Sequence, residues 1–135
     1  MSARVGRIRG ALLVALALVS PGVTACSDDS SGPGTVTVTV EGSTPLGGAV
    51  LDIRGKLEGA ESLHAGWSLL EPLPNQGSTP VYRLLVVQEV AGTLSLSLSV
   101  PDVGGDLPAV TVLQASGADD RRLPAVGGLD VRVKR

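Results

Sequence analysis

The sequence predicts an all-β domain, an antiparallel β-sandwich of about seven strands, over residues 35–135. Three observations predict it. Residues 35–41 (TVTVTVE) and 92–100 (GTLSLSLSV) alternate between apolar and polar side chains with period two, the pattern of a half-buried strand and not of a helix. The chain holds 18 glycines and 9 prolines, which suits many tight turns and leaves little room for long helices. It has no Phe, one Trp and one Tyr, so the core must be built from Val, Leu, Ile and Ala.

Residues 27–34 (SDDSSGPG) contain no apolar side chain and read as a flexible tether. Fully extended, such a stretch reaches roughly 26 Å. In the first strand, 35–41, Val36, Val38 and Val40 share one face and threonines the other. Residues 42–48, with Pro45 and three glycines, read as a turn. Residues 49–54 (AVLDIR) form the second strand, with Ala49, Leu51 and Ile53 inward and Asp52 and Arg54 outward. Residues 55–65 read as irregular and polar, with room for one helical turn. Residues 66–70 (GWSLL) make a short third strand. Pro72, Pro74, Pro80 and an Asn75-Gln76-Gly77 turn make 71–80 a loop. Residues 81–90 (VYRLLVVQEV) are apolar on both faces around 84–87, as a central strand requires. In 92–100, Leu94, Leu96, Leu98 and Val100 face in and Thr93, Ser95, Ser97 and Ser99 face out. A Gly-rich loop, 101–108, leads to a strand at 109–115. The charged loop 116–124 precedes the last strand, 129–134, with Leu129, Val131 and Val133 inward.

Residues 49–55 (AVLDIRG) and 84–102 (LLVVQEVAGTLSLSLSVPD) lead from a buried strand through a glycine into a strongly alternating one. In this pattern the chain resembles the Ig-like and cohesin-like sandwich modules of bacterial surface proteins. The resemblance implies two packed antiparallel sheets. The paired cysteines of antibody domains are missing, as are most of the aromatics such modules carry.

The N-terminus reads as an export signal. Arg4, Arg7 and Arg9 precede the apolar run 11–19 (ALLVALALV), and Ser20, Pro21 and Gly22 break it. The run is well short of the about 20 apolar residues that span a bilayer. Ile8 separates Arg7 from Arg9, so there is no twin-arginine pair. Val23-Thr24-Ala25-Cys26 resembles the lipobox of bacterial lipoproteins. The resemblance implies cleavage after Ala25 and lipidation of Cys26, the single cysteine of the chain, which becomes the mature N-terminus. One acyl chain holds a protein only marginally, whereas two or three make the attachment effectively permanent. The expected organisation is a signal peptide at 1–25, a lipidated cysteine and tether at 26–34, and the sandwich at 35–135. Ser27, where aspartate often marks inner-membrane retention in that family, leans the expected location towards the outer membrane.

Loss of residues 1–25 removes three of the 11 basic residues and none of the 13 acidic ones, leaving a net charge of −5. Such a domain repels nucleic acid, and no basic run offsets this. No catalytic set is evident. His64 is the only histidine, near Glu58 and Glu61 but without further ligands at metal spacing. Asp102 and Asp106 flank Gly104-Gly105 without the ladder of a Ca²⁺ loop. Asp119-Asp120-Arg121-Arg122 neutralises itself. Gly127-Gly128 precedes a strand and not a helix, so it is no phosphate loop. No catalytic residue, metal or cofactor is therefore expected. Arg132, Lys134 and Arg135 read as solvated charges.

Trp67 is expected to fill the core between the sheets. The alternative is a small platform of Trp67 and Tyr82 stacking on sugar rings. The functional expectation is a membrane-anchored, non-catalytic envelope module, structural or binding. Its partners would be the bilayer, through acylated Cys26, and a protein or glycan. A glycan-binding module using Trp67 and Tyr82 is the alternative, and a small envelope enzyme the more remote one.

Overall fold

The structure, a computed structural model, describes residues 31–74 and 77–135. Ala25, Cys26, the whole signal-peptide segment and the first part of the tether lie outside the described residues. Eight strands follow in order: β1 (Gly34–Glu41), β2 (Leu46–Arg54), β3 (Gly59–Ser62), β4 (Gly66–Pro72), β5 (Val81–Gly92), β6 (Leu94–Val100), β7 (Ala109–Gly117) and β8 (Asp130–Lys134). They form two four-stranded sheets, β3-β6-β1-β8 and β4-β5-β2-β7. Every pairing is antiparallel. The molecule is a β-sandwich, as the alternation requires.

The core lies where the two alternating strands meet. β1 pairs β6 with Val36 beside Leu98, Val38 beside Leu96 and Val40 beside Leu94. All six are buried, together with Leu51 and Ile53 of β2 and Leu84 and Val86 of β5 on the facing sheet. Burying one such side chain contributes about 1.5–3 kcal/mol. The opposite face of the β1-β6 pair sets Thr35, Thr37 and Thr39 beside Ser99, Ser97 and Ser95. Leu129, Val131 and Val133 close the sandwich from the β8 side.

Three segments differ from expectation. Residues 59–62 form the edge strand β3 and not a helical turn; it pairs β6 along Gly59–Ser99 to Ser62–Leu96. That makes eight strands, not seven. β2 begins at Leu46, so Gly47 and Gly48 belong to the strand and not to a turn. A register shift between Leu46 and Gly48 interrupts its pairing with both neighbours. The close approach explains the glycines: a Cβ on Gly47 would sit 2.5 Å from the Gly117 carbonyl, and one on Gly48 2.7 Å from the Val86 carbonyl. β4 also runs on through Glu71 and Pro72. At the β2 bulge the buried Gln88 donates from Nε2 to the Leu46 carbonyl at 3.1 Å, so its polar end is satisfied.

The end of the tether is fixed to the fold. Gly32 donates its N–H to Asp102 Oδ1 at 2.9 Å, and its carbonyl accepts from Val103 N–H at 2.9 Å. Arg135 joins the same loop, donating to the carbonyls of Val103 and Gly105 at 2.7 and 2.8 Å. It remains exposed, as expected of a solvated charge, while holding this loop.

Candidate binding face

The outer face of the β4-β5-β2-β7 sheet carries an apolar patch across β4, β5 and β2, bordered by polar residues of β7 and a charged row. The register builds it in rows running across the strands. Trp67 lies beside Val87, Val87 beside Gly48 and Gly48 beside Ser116. The next row is Leu69, Leu85, Val50 and Gln114. The third is Glu71, Arg83, Asp52 and Thr111. Trp67 is 53% exposed, Leu69 43% and Val87 42%; Leu85 and Val50 are half-buried. Single exposed apolar side chains are ordinary, but a contiguous group of this kind marks an interaction surface.

The face is not flat. Gly48 carries no side chain between Val87 and Ser116, leaving a trough floored by Val50, Leu85 and Val87 and flanked by Asp120 and Arg122. Its volume is about 150 Å³, below the roughly 300–1,000 Å³ of typical small-molecule pockets. The shape suits a docked surface better than an enclosed ligand. A bulge in β7 pairs Val50 with Gln114 and Leu51 with Val112, so Leu113 is left out of register and exposed.

The third row is charged and internally paired. Arg83 donates from Nε and Nη2 to the two carboxylate oxygens of Asp52, at 2.9 and 3.2 Å. This two-point hydrogen bond, with the attraction of the carboxylate, raises the Arg83 pKa further above its ordinary value.

The two aromatics do not meet. Trp67 is outside the core, contrary to expectation, because the register sets it beside Val87 on the outer face of the sheet, while Leu70 of the same strand turns towards the core. Tyr82 pairs beside Ile53 on the inner side of the same sheet, packs against the core and donates its hydroxyl to the Leu57 carbonyl at 3.4 Å. Alternation places the two rings on opposite faces, so they build no joint platform.

The other residues singled out from the sequence sit apart. His64 is exposed in the β3–β4 turn, where its main chain is bonded to the Ser62 hydroxyl. Among the described residues no group of three or more His, Cys, Asp or Glu side chains is placed to hold a metal. Asp102 is engaged by the backbone N–H groups of Gly32 and Gly104, which hold its carboxyl below the ordinary value. An open hollow beside it, of about 480 Å³, is lined by Arg54, Lys56, Asp102 and Asp106, charges of both signs that balance. Asp119 pairs Arg121 at 3.6 Å in the β7–β8 loop. Gly127 and Gly128 precede β8.

Val50, Leu69, Leu85 and Val87 were not singled out from the sequence as site residues. The signal was present in 84–87, apolar on both faces. It marks a strand with neighbours on both sides, which β5 is, but one of its faces is bare. No protein-family model, curated protein or solved structure matches this chain.

Proposed function

We propose that this chain is a lipid-anchored protein of the bacterial cell envelope, held through Cys26, whose sandwich is a non-catalytic binding module. The observation that carries the binding role is the uncovered apolar face of Trp67, Leu69, Leu85, Val87 and Val50. The anchor rests on the N-terminal sequence, and the end of the tether supports it. The chain enters the fold at Gly32, beside Asp102 at one end of the sandwich. Trp67 stands towards the other end, since β4 starts at Gly66 beside Gln88 and finishes at Pro72 beside Tyr82, near the start of β5. An anchored domain would thus hold its aromatic row away from the bilayer. Ser27 favours the outer membrane.

The glycan alternative is the weaker reading. It rests on Trp67 alone, because Tyr82 is on the inner face and the chain has no other aromatic. An aliphatic floor of valine and leucine offers a sugar few hydrogen bonds.

Intact-mass analysis of the envelope fraction tests the anchor. The native chain should have lost residues 1–25 and gained the mass of its acyl chains, while Cys26→Ser should keep its full-length mass and carry no acyl chain. A native chain without acyl mass overturns the anchor.

A further inference from the structure

We infer that the outer face of the β4-β5-β2-β7 sheet pairs with the same face of a second copy of this chain, about a two-fold axis parallel to the strands. The rows of the face are self-complementary under that rotation. It keeps each row at its own level and reverses the order of strands, so β4 lies over the partner's β7 and β5 over the partner's β2. Val87 then stands over the partner's Gly48, a side chain into the gap that a missing side chain leaves. Leu85 stands over the partner's Val50, and Leu69 over the partner's Gln114. Arg83 stands over the partner's Asp52, and Asp52 over the partner's Arg83. The Arg83–Asp52 bond within each copy, at 2.9 Å, becomes part of a four-charge cluster of alternating sign. Face-to-face sheets normally pack with strands within about 30° of one another, which keeps the central rows in register.

The other in-plane two-fold, across the strands, does not fit. It keeps β4 over β4 and reverses the rows, setting Trp67 and Val87 against the charged row of Glu71 and Arg83. Apolar side chains would then cover charges, at a desolvation cost that nothing offsets.

Where the chain leaves the fold selects the same axis. Rotation about an axis parallel to the strands leaves their direction unchanged, so Gly32 and the Asp102 loop lie at the same end of both copies. Two chains tethered to one membrane can therefore pair, whereas the crosswise axis would point their tethers apart. This step rests on the lipid anchor proposed above; the complementarity of the rows does not.

Size sets the strength. Four strands about 4.8 Å apart and rows about 6.7 Å apart give a face of roughly 400 Å² in projection per copy. The two copies together thus bury roughly 800 Å², below the about 1,200–2,000 Å² of stable interfaces, so pairing is weak and transient in dilute solution. Confinement to a membrane raises the local concentration and favours it.

Cross-linking tests the inference. Full-length Leu69→Cys and Gln114→Cys chains with different tags are produced together in one bacterium. Facing sheets lie about 10 Å apart, beyond a direct disulfide, so a short bismaleimide bridges them. The wild-type chain reports any link made by Cys26. The mixed Leu69→Cys/Gln114→Cys product should exceed either same-variant product several-fold. Adding Arg83→Glu to both chains should lower its yield several-fold, and Arg83→Glu with Asp52→Arg should restore it. Preferential self-linking of the Leu69→Cys chain would show the crosswise axis and overturn the proposal. So would a yield no higher than from Thr37→Cys on the opposite sheet, links only to a foreign protein, or failure of the folded double charge variant to recover. Fractionation of the same cells separates the two proposals. Cross-linking without membrane attachment removes the anchor alone, and attachment without cross-linking removes the pairing alone.

Discussion

Asp102 Oδ1 accepts the backbone N–H of Gly32 at 2.9 Å across 70 positions of sequence, and the same oxygen accepts from Gly104 N–H at 2.9 Å. One carboxylate therefore closes its own loop and pins the tether to it. Val103 completes the clasp, because a Cβ on Gly34 would sit 2.7 Å from Val103 Cγ1. Only a glycine lets the chain pass there into β1 without displacing that side chain.

Asp102→Ala should release the tether without melting the core. The amide of Gly32 should then exchange with solvent much faster than in the parent, while those of Val38 and Leu96 keep their protection. Acid should act in the same direction. The native Asp102 carboxyl titrates below its ordinary 3.8 because, first, Gly32 N–H and then Gly104 N–H hold the charged form. A depressed native pKa makes the clasp's contribution fully present above the unfolded value and lost as pH falls through the native one. Unchanged Gly32 exchange in Asp102→Ala would show that the clasp does not hold the tether.

Truncation on the alternating strand should separate the two faces. Leu96 is fully buried beside Val38, and a buried leucine cut to alanine costs about 2–5 kcal/mol. Ser97 lies on the outer face beside Thr37, and surface changes of that kind usually stay within about 0.5 kcal/mol. Urea melts of Leu96→Ala and Ser97→Ala should differ accordingly. The reverse order would mean that the register is wrong by one residue.

Those two strands were legible because their alternation is unbroken and their buried residues are large. The missed features were silent for physical reasons. β3 is the four-residue segment Gly-Ala-Glu-Ser, whose place depends on main-chain bonds to β6 that no side-chain pattern announces. Gly47 and Gly48 looked like a turn because glycine there signals closeness to Gly117 and Val86 on neighbouring strands, which local sequence does not reveal. Strand tryptophans in sandwiches often lie in the core, and nothing local to Trp67 says otherwise. Its position follows from the register, which sets it beside the outward Val87 and leaves Leu70 to face the core. Leu85 and Val87 were visible as apolar, but their sequence could not say which face of β5 the fold would leave bare.

Trp67 provides a direct reading of that face, since it is the single tryptophan. In dilute protein its fluorescence should be readily quenched by iodide, as befits 53% exposure. Trp67→Ala should change stability far less than Leu84→Ala, whose side chain is fully buried. A well-shielded tryptophan in dilute protein, or a Trp67→Ala loss matching that of Leu84→Ala, would return Trp67 to the core.

Gly66 is the position on which the aromatic row depends. It opens β4 beside Gln88, and a Cβ added there would collide with the Val87 carbonyl oxygen and lie 3.0 Å from the Gln88 Cα. Both are main chain of the neighbouring strand, so no side-chain rotation relieves the contact. Gly66→Ala must push the start of β4 away from β5, and Trp67, the next residue, moves with it. Overpacking of this kind costs about 1–3 kcal/mol. Gly59 is the matched control, also on an edge strand, with nothing nearer than the Ser99 hydroxyl oxygen at 4.0 Å. There alanine meets no obstacle and restricts the unfolded chain, which makes Gly59→Ala neutral or mildly stabilising. Urea melts should therefore place Gly66→Ala below the parent and Gly59→Ala at or above it. Amide exchange should quicken along β4 in the Gly66 variant while β1 and β6 stay protected. If Gly66→Ala melts with the parent, β4 does not pack against β5 at this distance, and the row from Trp67 to Ser116 is not continuous.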